Sequence, residues 1–117
     1  MIRIMSRADF KNFWPSFKAI IQAQKSYAFD PDMSEQQAFK LWCELPLKSF
    51  VFEHNQQILG TYYIKPNAMG PSKHICNCGY MVSEAARGKG IARKMCEHSQ
   101  QQAQKHGFKA MQFNSVV

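Results

Sequence analysis

The residues best suited to do chemistry are Arg87-Gly88-Lys89-Gly90-Ile91-Ala92, which follow the strand-like run Gly79-Tyr80-Met81-Val82 and lead into an amphipathic segment. Glycines at 88 and 90 permit a close turn that exposes backbone donors. A helix opening after that turn adds unpaired N–H groups and its positive end. Four of the eight residues from 87 to 94 are Arg or Lys, so the stretch has the chemistry of a diphosphate cradle. The competing reading is a helix cap beside a solvated basic face. The segment lacks the Lys-Ser or Lys-Thr completion of a Walker loop and does not follow the first strand as a dinucleotide fingerprint would, which argues against kinase and hydride-transfer chemistry.

Other reactive side chains give weaker signals. Glu84 is the nearest carboxylate, but it sits just before the turn, where a cap or loop role competes with acid–base work. Tyr80 lines the same strand and suits either an acyl site or the core. His74-x-Cys76-x-Cys78 places three potential ligands on one face of a strand, yet a flat row of three does not close a tetrahedron, and core packing of at least one cysteine is the simpler expectation; no metal is expected. The four cysteines have no CxxC spacing and fit a reducing compartment.

The elements that must position this turn follow from periodicity. Residues 2–5 suit a short strand. Ser6 with Asp9 has capping-box spacing for a helix carrying Phe10, Phe13, Trp14, Phe17, Ile20 and Ile21 as one apolar stripe, more consistent with core than with a ligand cage, and Pro15 predicts a kink or break in it. Asp30-Pro31-Asp32 is a turn signal. Ser34 with Gln37 opens a second helix through Trp42, with Pro46 beyond its end. Residues 50–53 and 58–64 read as a hairpin, and residues 66–72 as a surface loop. A strand over 74–82, a helix over 90–105 closed by Gly107 and a strand over 108–113 form the local signature of a parallel crossover attached to antiparallel elements. The fold class is therefore α/β with a mixed sheet.

With 117 residues, 45% hydrophobic and 20% charged, the chain suits one domain spanning 1–117. Fifteen basic against eight acidic residues give a net charge of +7, which favours anionic partners without choosing among them. No run approaches the roughly 18 apolar residues of a membrane span, and the first residues lack a signal-peptide core, so a cytoplasmic protein without membrane contact is expected. Nucleic acid is disfavoured as a partner because the basic residues gather at the anion turn and no helix-pair or zinc-finger motif accompanies them.

The segment Arg87-Gly88-Lys89-Gly90-Ile91-Ala92 resembles the signature of the GNAT superfamily of acetyl-coenzyme-A-dependent N-acetyltransferases: Arg or Gln, two unspecified residues, Gly, one unspecified residue, then Gly or Ala. Gly79-Tyr80-Met81-Val82 resembles that family's central strand, and the order of the early helices and hairpin agrees over nearly the whole chain. The resemblance implies that the central strand and its neighbour diverge at a bulge where the acyl-pantetheine arm lies. It assigns backbone groups around Tyr80, Met81 and Val82 to the arm, and Arg87, Gly88, Lys89, Gly90, Ile91 and Ala92 to the diphosphate, with Ile91 and Ala92 also packing on the sheet.

It further implies acetyl transfer from acetyl-CoA to a primary amine of a small molecule or protein. Tyr27 resembles a position bordering the acceptor pocket, Asn77 is a weaker polar candidate, and the general base is unidentified beyond the weak candidates Tyr80 and Glu84. Relatives continue past the strand near residue 113 with another helix, often carrying a Tyr acid, and a closing pair of strands. The resemblance thus implies a GNAT-like domain truncated after its fifth strand, as a natural short form or a fragment. Such a stop leaves a strand edge that a second copy of the chain would cover, and a non-catalytic CoA-binding or interaction module is the rival function.

Overall fold

The computed structural model describes residues 1–23, 30–66 and 75–116, the last five of these by backbone alone. The elements are β1 (Ile2–Ile4), α1 (Arg7–Ala23), α2 (Glu35–Phe39), β2 (Lys48–His54), β3 (Gln57–Pro66), β4 (Ile75–Val82), α3 (Ile91–Lys105) and β5 (Ala110–Val116). They form one sheet in the order β1-β2-β3-β4-β5, antiparallel from β1 to β4 and parallel between β4 and β5. The expected mixed α/β architecture, hairpin and crossover are all present.

Alternation along the strands sorts side chains into two cores. Phe50, Tyr62, Ile64, Cys78, Tyr80 and Val82 face α3, where Ile91, Met95 and Ala103 meet them. Tyr63 and Met81 point the other way, onto Phe10, Phe13, Phe17, Ile20 and Ile21 of α1 and onto Trp42. Cys76 and Cys78 are both core residues, as their strand phase suggested. His74 lies outside the described residues.

Both capping boxes close. Asp9 N–H donates to Ser6 Oγ at 3.1 Å while Ser6 N–H donates to Asp9 Oδ2 at 2.8 Å, and Ser34 and Gln37 exchange the same pair of bonds. Two expectations need correcting. Of the kink or break expected at Pro15, the break does not occur: α1 runs through it as one helix. The apolar stripe keeps its phase on either side of the proline, so burial of Phe13, Phe17, Ile20 and Ile21 offsets the roughly 3 kcal/mol that an interior proline costs, and Pro15 itself faces outward. The second helix does not continue in α form to Trp42; after Phe39 it widens into a π turn over Lys40–Glu44. That turn sets Trp42 wholly inside, with Nε1 donating to Thr61 Oγ1 at 3.1 Å and its carbonyl receiving the Ser49 hydroxyl. The hairpin turns on Asn55 and Gln56, both left-handed at φ 52 and 64, the pairing of signs that a two-residue hairpin turn needs.

Arg3 ties β1 to both neighbours. Its guanidinium donates to both carboxylate oxygens of Asp9 and to both of Glu53. Chiefly for that reason the Asp9 carboxyl is held down to about 2 from an ordinary 3.8. A folded-state value below the unfolded one stabilises the fold above the unfolded value, and the gain disappears as pH falls through the folded value. Asp9→Asn is expected to cost about 1–2 kcal/mol at pH 7. In urea titrations that cost should shrink between pH 4 and pH 2; a deficit that persists unchanged at pH 2 would contradict the ion-pair origin.

Candidate functional site

The crossover from β4 to α3 builds the site. Hydrogen-bond parity decides which main-chain groups of β4 are available. Ser83 N–H donates to Leu59 C=O at 2.9 Å, so positions 83, 81 and 79 turn their N–H and C=O groups toward β3, and Tyr80 and Val82 turn theirs toward β5. Met81 C=O points at Gly60 accordingly. Of the three residues expected to meet a pantetheine arm, Tyr80 and Val82 therefore offer main-chain groups to the β5 side, while Met81 spends its own on β3 and its side chain in the α1 core.

The β4–β5 pairing changes register at this point. Cys78 pairs with Phe113 and Tyr80 with Val116, so two residues on β4 match three on β5 and Gly79 has no partner there. Pairing resumes at Tyr80, so the irregularity is confined to Gly79, and a bulge stands where the resemblance implied one.

Past Ser83 a single 3-10 turn, Glu84–Ala86, carries the chain to the glycines. Gly88 and Gly90 adopt φ 83 and 74, and a Cβ at either would meet no atom within 4 Å. Gly90 caps α3 in the left-handed conformation, and the first intrahelical acceptor is its carbonyl, which receives Lys94 N–H. Among the described residues, no protein acceptor meets the main-chain N–H groups of residues 88–93. Arg87 N–H is different, donating to Glu84 C=O at 3.3 Å. A row of unpaired donors, an open approach over two glycines and the positive end of a 15-residue helix fit a diphosphate. Lys89, Arg93 and Lys94 are exposed around them. Ile91 is buried against the sheet and Ala92 half-buried, which gives these two the packing role expected of them.

Other candidates separate from this turn. The Tyr80 phenol points into the α3 core and shares a hydrogen bond with Ser99 Oγ at 2.6 Å; burial pushes its pKa up. Burial likewise pushes the Cys78 thiol up to about 12 and raises that of Cys76, so neither is a nucleophile at neutral pH. Glu84 and Arg87 line a cleft of about 750 Å³ between α1 and the β2–β3 turn, together with Asn12, Ser16, Glu53 and Gln57. Glu84 thus borders the cleft beside α1. Asn77 lies half-buried two residues before Gly79, on its face of β4. Tyr27 lies outside the described residues. No cluster of three metal-ligating side chains occurs among the described residues.

Tyr63 is the residue that the sequence reading missed. It pairs with Gly79, and the hydroxyl end of its ring packs on that glycine: a Cβ there would sit 2.5, 2.8 and 2.9 Å from Tyr63 Cε2, Cζ and Oη. The signal was an aromatic cross-strand from a glycine, visible only once the hairpin and loop fix the register.

Comparison with known proteins agrees with this geometry. The profile of the acetyltransferase (GNAT) family matches residues 14–116. A GCN5-related N-acetyltransferase from Kribbella flavida superposes with a TM-score of 0.88 at 34% identity, covering 97% of this chain and 70% of that one. An acetyltransferase of the family from Brucella melitensis, solved with acetyl-CoA, shares the fold at a TM-score of 0.74 and 20% identity, over 100% of this chain and 76% of its own. The N-acetyltransferase aca1 of Schizosaccharomyces pombe is 46% identical over 59 residues, which is 50% of this chain but only 28% of the yeast protein. The chain belongs to the GNAT acetyltransferase family.

The glycines separate two kinds of constraint. Gly79→Ala drives a methyl into the Tyr63 ring and is expected to cost about 2–3 kcal/mol by overpacking. Gly88→Ala meets only the left-handed backbone penalty of about 1 kcal/mol. Urea denaturation of both variants checks the ranking; equal costs would contradict the packing described here.

Proposed function

We infer that this protein transfers an acetyl group from acetyl-CoA to a primary amine of a small molecule or protein. The observation that carries the reading is the row of unpaired main-chain donors at residues 88–93, at the start of α3 in the crossover that follows the bulged strand β4. Acetyl-CoA is the substrate that supplies an activated thioester and, through its diphosphate, the anion such donors suit.

In this reading the Gly88–Gly90 turn holds the diphosphate through main-chain N–H groups, with Arg87, Lys89 and Arg93 adding charge around it. The outward N–H and C=O groups of Val82 serve the extended arm as a strand edge serves a neighbour. A main-chain N–H fixed on that edge stabilises charge developing on the thioester oxygen without reorganising. The amine must arrive uncharged, so a lysine-like acceptor with pKa near 10.4 has to lose a proton on the way. The four free cysteines suit a reducing, cytoplasmic setting, and none of the described helices is long and apolar enough to cross a membrane. Self-association along the outer edge of β5 is a separate proposal, which light scattering over a wide concentration range would test, a single monomeric mass counting against it.

Isothermal titration is expected to show acetyl-CoA and CoA binding at one site per chain, and thiol release is expected on adding a panel of amines. Gly88→Ala combined with Gly90→Ala should weaken acetyl-CoA binding about tenfold or more, since the donors turn away from the ligand. Absence of binding at millimolar ligand by the folded wild-type chain would overturn the reading. Binding without thiol release for any amine would favour the non-catalytic CoA-binding module.

A further inference from the structure

The cleft of about 750 Å³ between α1 and the β2–β3 turn has a size that suits a small organic molecule. Asn12, Ser16, Ala19 and Ala23 recur along α1 at steps of four, three and four residues, so one helix face forms a wall of it. Ile20, Ile58 and Leu59 add apolar surface. The end of β4 contributes Ser83 and Glu84.

Ser83 is the telling residue. It is extended at φ −62 and ψ 151, so strand alternation continues past Val82: Val82 faces α3, and the Ser83 side chain faces α1 and the cleft. The residue is only 8% exposed. Its hydroxyl has no hydrogen-bond partner among the described residues and does not cap the 3-10 turn that follows. A hydroxyl enclosed in this way costs free energy that a polar group of a ligand recovers.

The charges give the sign of that ligand. Three of the chain's eight acidic residues, Asp9, Glu53 and Glu84, line the cleft against one of its fifteen basic residues, Arg87, although the chain carries a net charge of +7. Asp9 and Glu53 are already held by Arg3. Among the described residues no ion pair joins Glu84 to Arg87 or to any other base. Next to the unpartnered hydroxyl there is therefore a carboxylate free to meet a cation, and an ammonium brings three donors for two such acceptors. We propose that this cleft binds a primary aliphatic ammonium, with the cation on the Ser83 hydroxyl and the Glu84 carboxylate and the alkyl chain along α1 against Ile20, Ile58 and Leu59. The site goes beyond acetyl transfer, since it needs neither acetyl-CoA nor a placed thioester.

Calorimetry and ¹⁵N–¹H correlation spectra with hexylammonium, methylammonium and hexanoate as probes, in the absence of CoA, test the site. Hexylammonium is expected to bind once per chain and to move the amide signals of Ser83, Glu84 and Leu59. Methylammonium, with no chain to lay on the apolar side, should bind about tenfold more weakly or worse, and hexanoate should leave those signals in place. Glu84→Gln should weaken hexylammonium about tenfold and Ser83→Ala about threefold. Both variants should unfold at the wild-type urea midpoint, because no described protein group bonds to either side chain. Glu35→Gln, which removes a charge on α2, should bind as the wild type does. No binding of hexylammonium at millimolar concentration, equal binding of hexanoate, or full affinity in Glu84→Gln would overturn the proposal. CoA titrated separately keeps the two readings apart: CoA bound and hexylammonium refused overturns this proposal alone, whereas hexylammonium bound and CoA refused overturns the cofactor reading alone.

Discussion

The structure depends on one broken pairing. Parallel strands ordinarily keep one register along their length, and β4 and β5 do so as far as Cys78 and Phe113 before it slips across Gly79 and resumes at Tyr80 and Val116. Past the end of β4 and the 3-10 turn Glu84–Ala86, the chain enters a turn whose own donors, from residue 88 to residue 93, are unpaired. Unsatisfied main-chain groups are tolerated where a polar ligand or water completes them. Such a set around the helix start defines an anion site a short way beyond the bulged strand.

Each side of the sheet holds the bulged strand in place by a different device. On one face, α3 is fixed by Ile91 and Met95 in the core and by the Tyr80–Ser99 and Tyr62–His98 hydrogen bonds, so the helix start cannot slide along β4. On the other, the π turn aims Trp42 at Tyr63, and Tyr63 covers Gly79. The aromatic column from Phe17 through Trp42 to Tyr63 thus links α1 to the bulged strand. Contacts of this kind add about 0.5–1.5 kcal/mol per pair beyond the area they bury, enough to choose one side-chain arrangement over another. Arg3, bridging Asp9 and Glu53, plays the equivalent part at the far edge of the sheet.

Where local rules act alone, the sequence was sufficient. Ser6 with Asp9 and Ser34 with Gln37 announce helix starts because the reciprocal bonds need only residues three apart. Gly88 and Gly90 announce a left-handed turn because few other residues occupy that conformation without strain. Pro15 misled as a break signal because its local cost is outweighed by four apolar side chains of its own helix buried against other elements, and the π turn was invisible because Trp42 dictates it through a distant Thr61. Met81 looked like a ligand residue by position, yet strand parity, which needs the Ser83–Leu59 bond as its origin, commits its main chain to β3. Tyr63 escaped for the same reason, since it packs on Gly79 across a β3–β4 register that neither residue announces.

The central claim is that the main-chain N–H groups of residues 88–93 bind the diphosphate of acetyl-CoA. Backbone ¹⁵N–¹H correlation spectra recorded during titration with CoA address those groups directly. The account predicts that the amide signals of Gly88, Lys89, Gly90, Ile91 and Ala92 move together and saturate with the calorimetric affinity, with Val82 following. Saturable binding that leaves these five amides in place and moves signals elsewhere would contradict it.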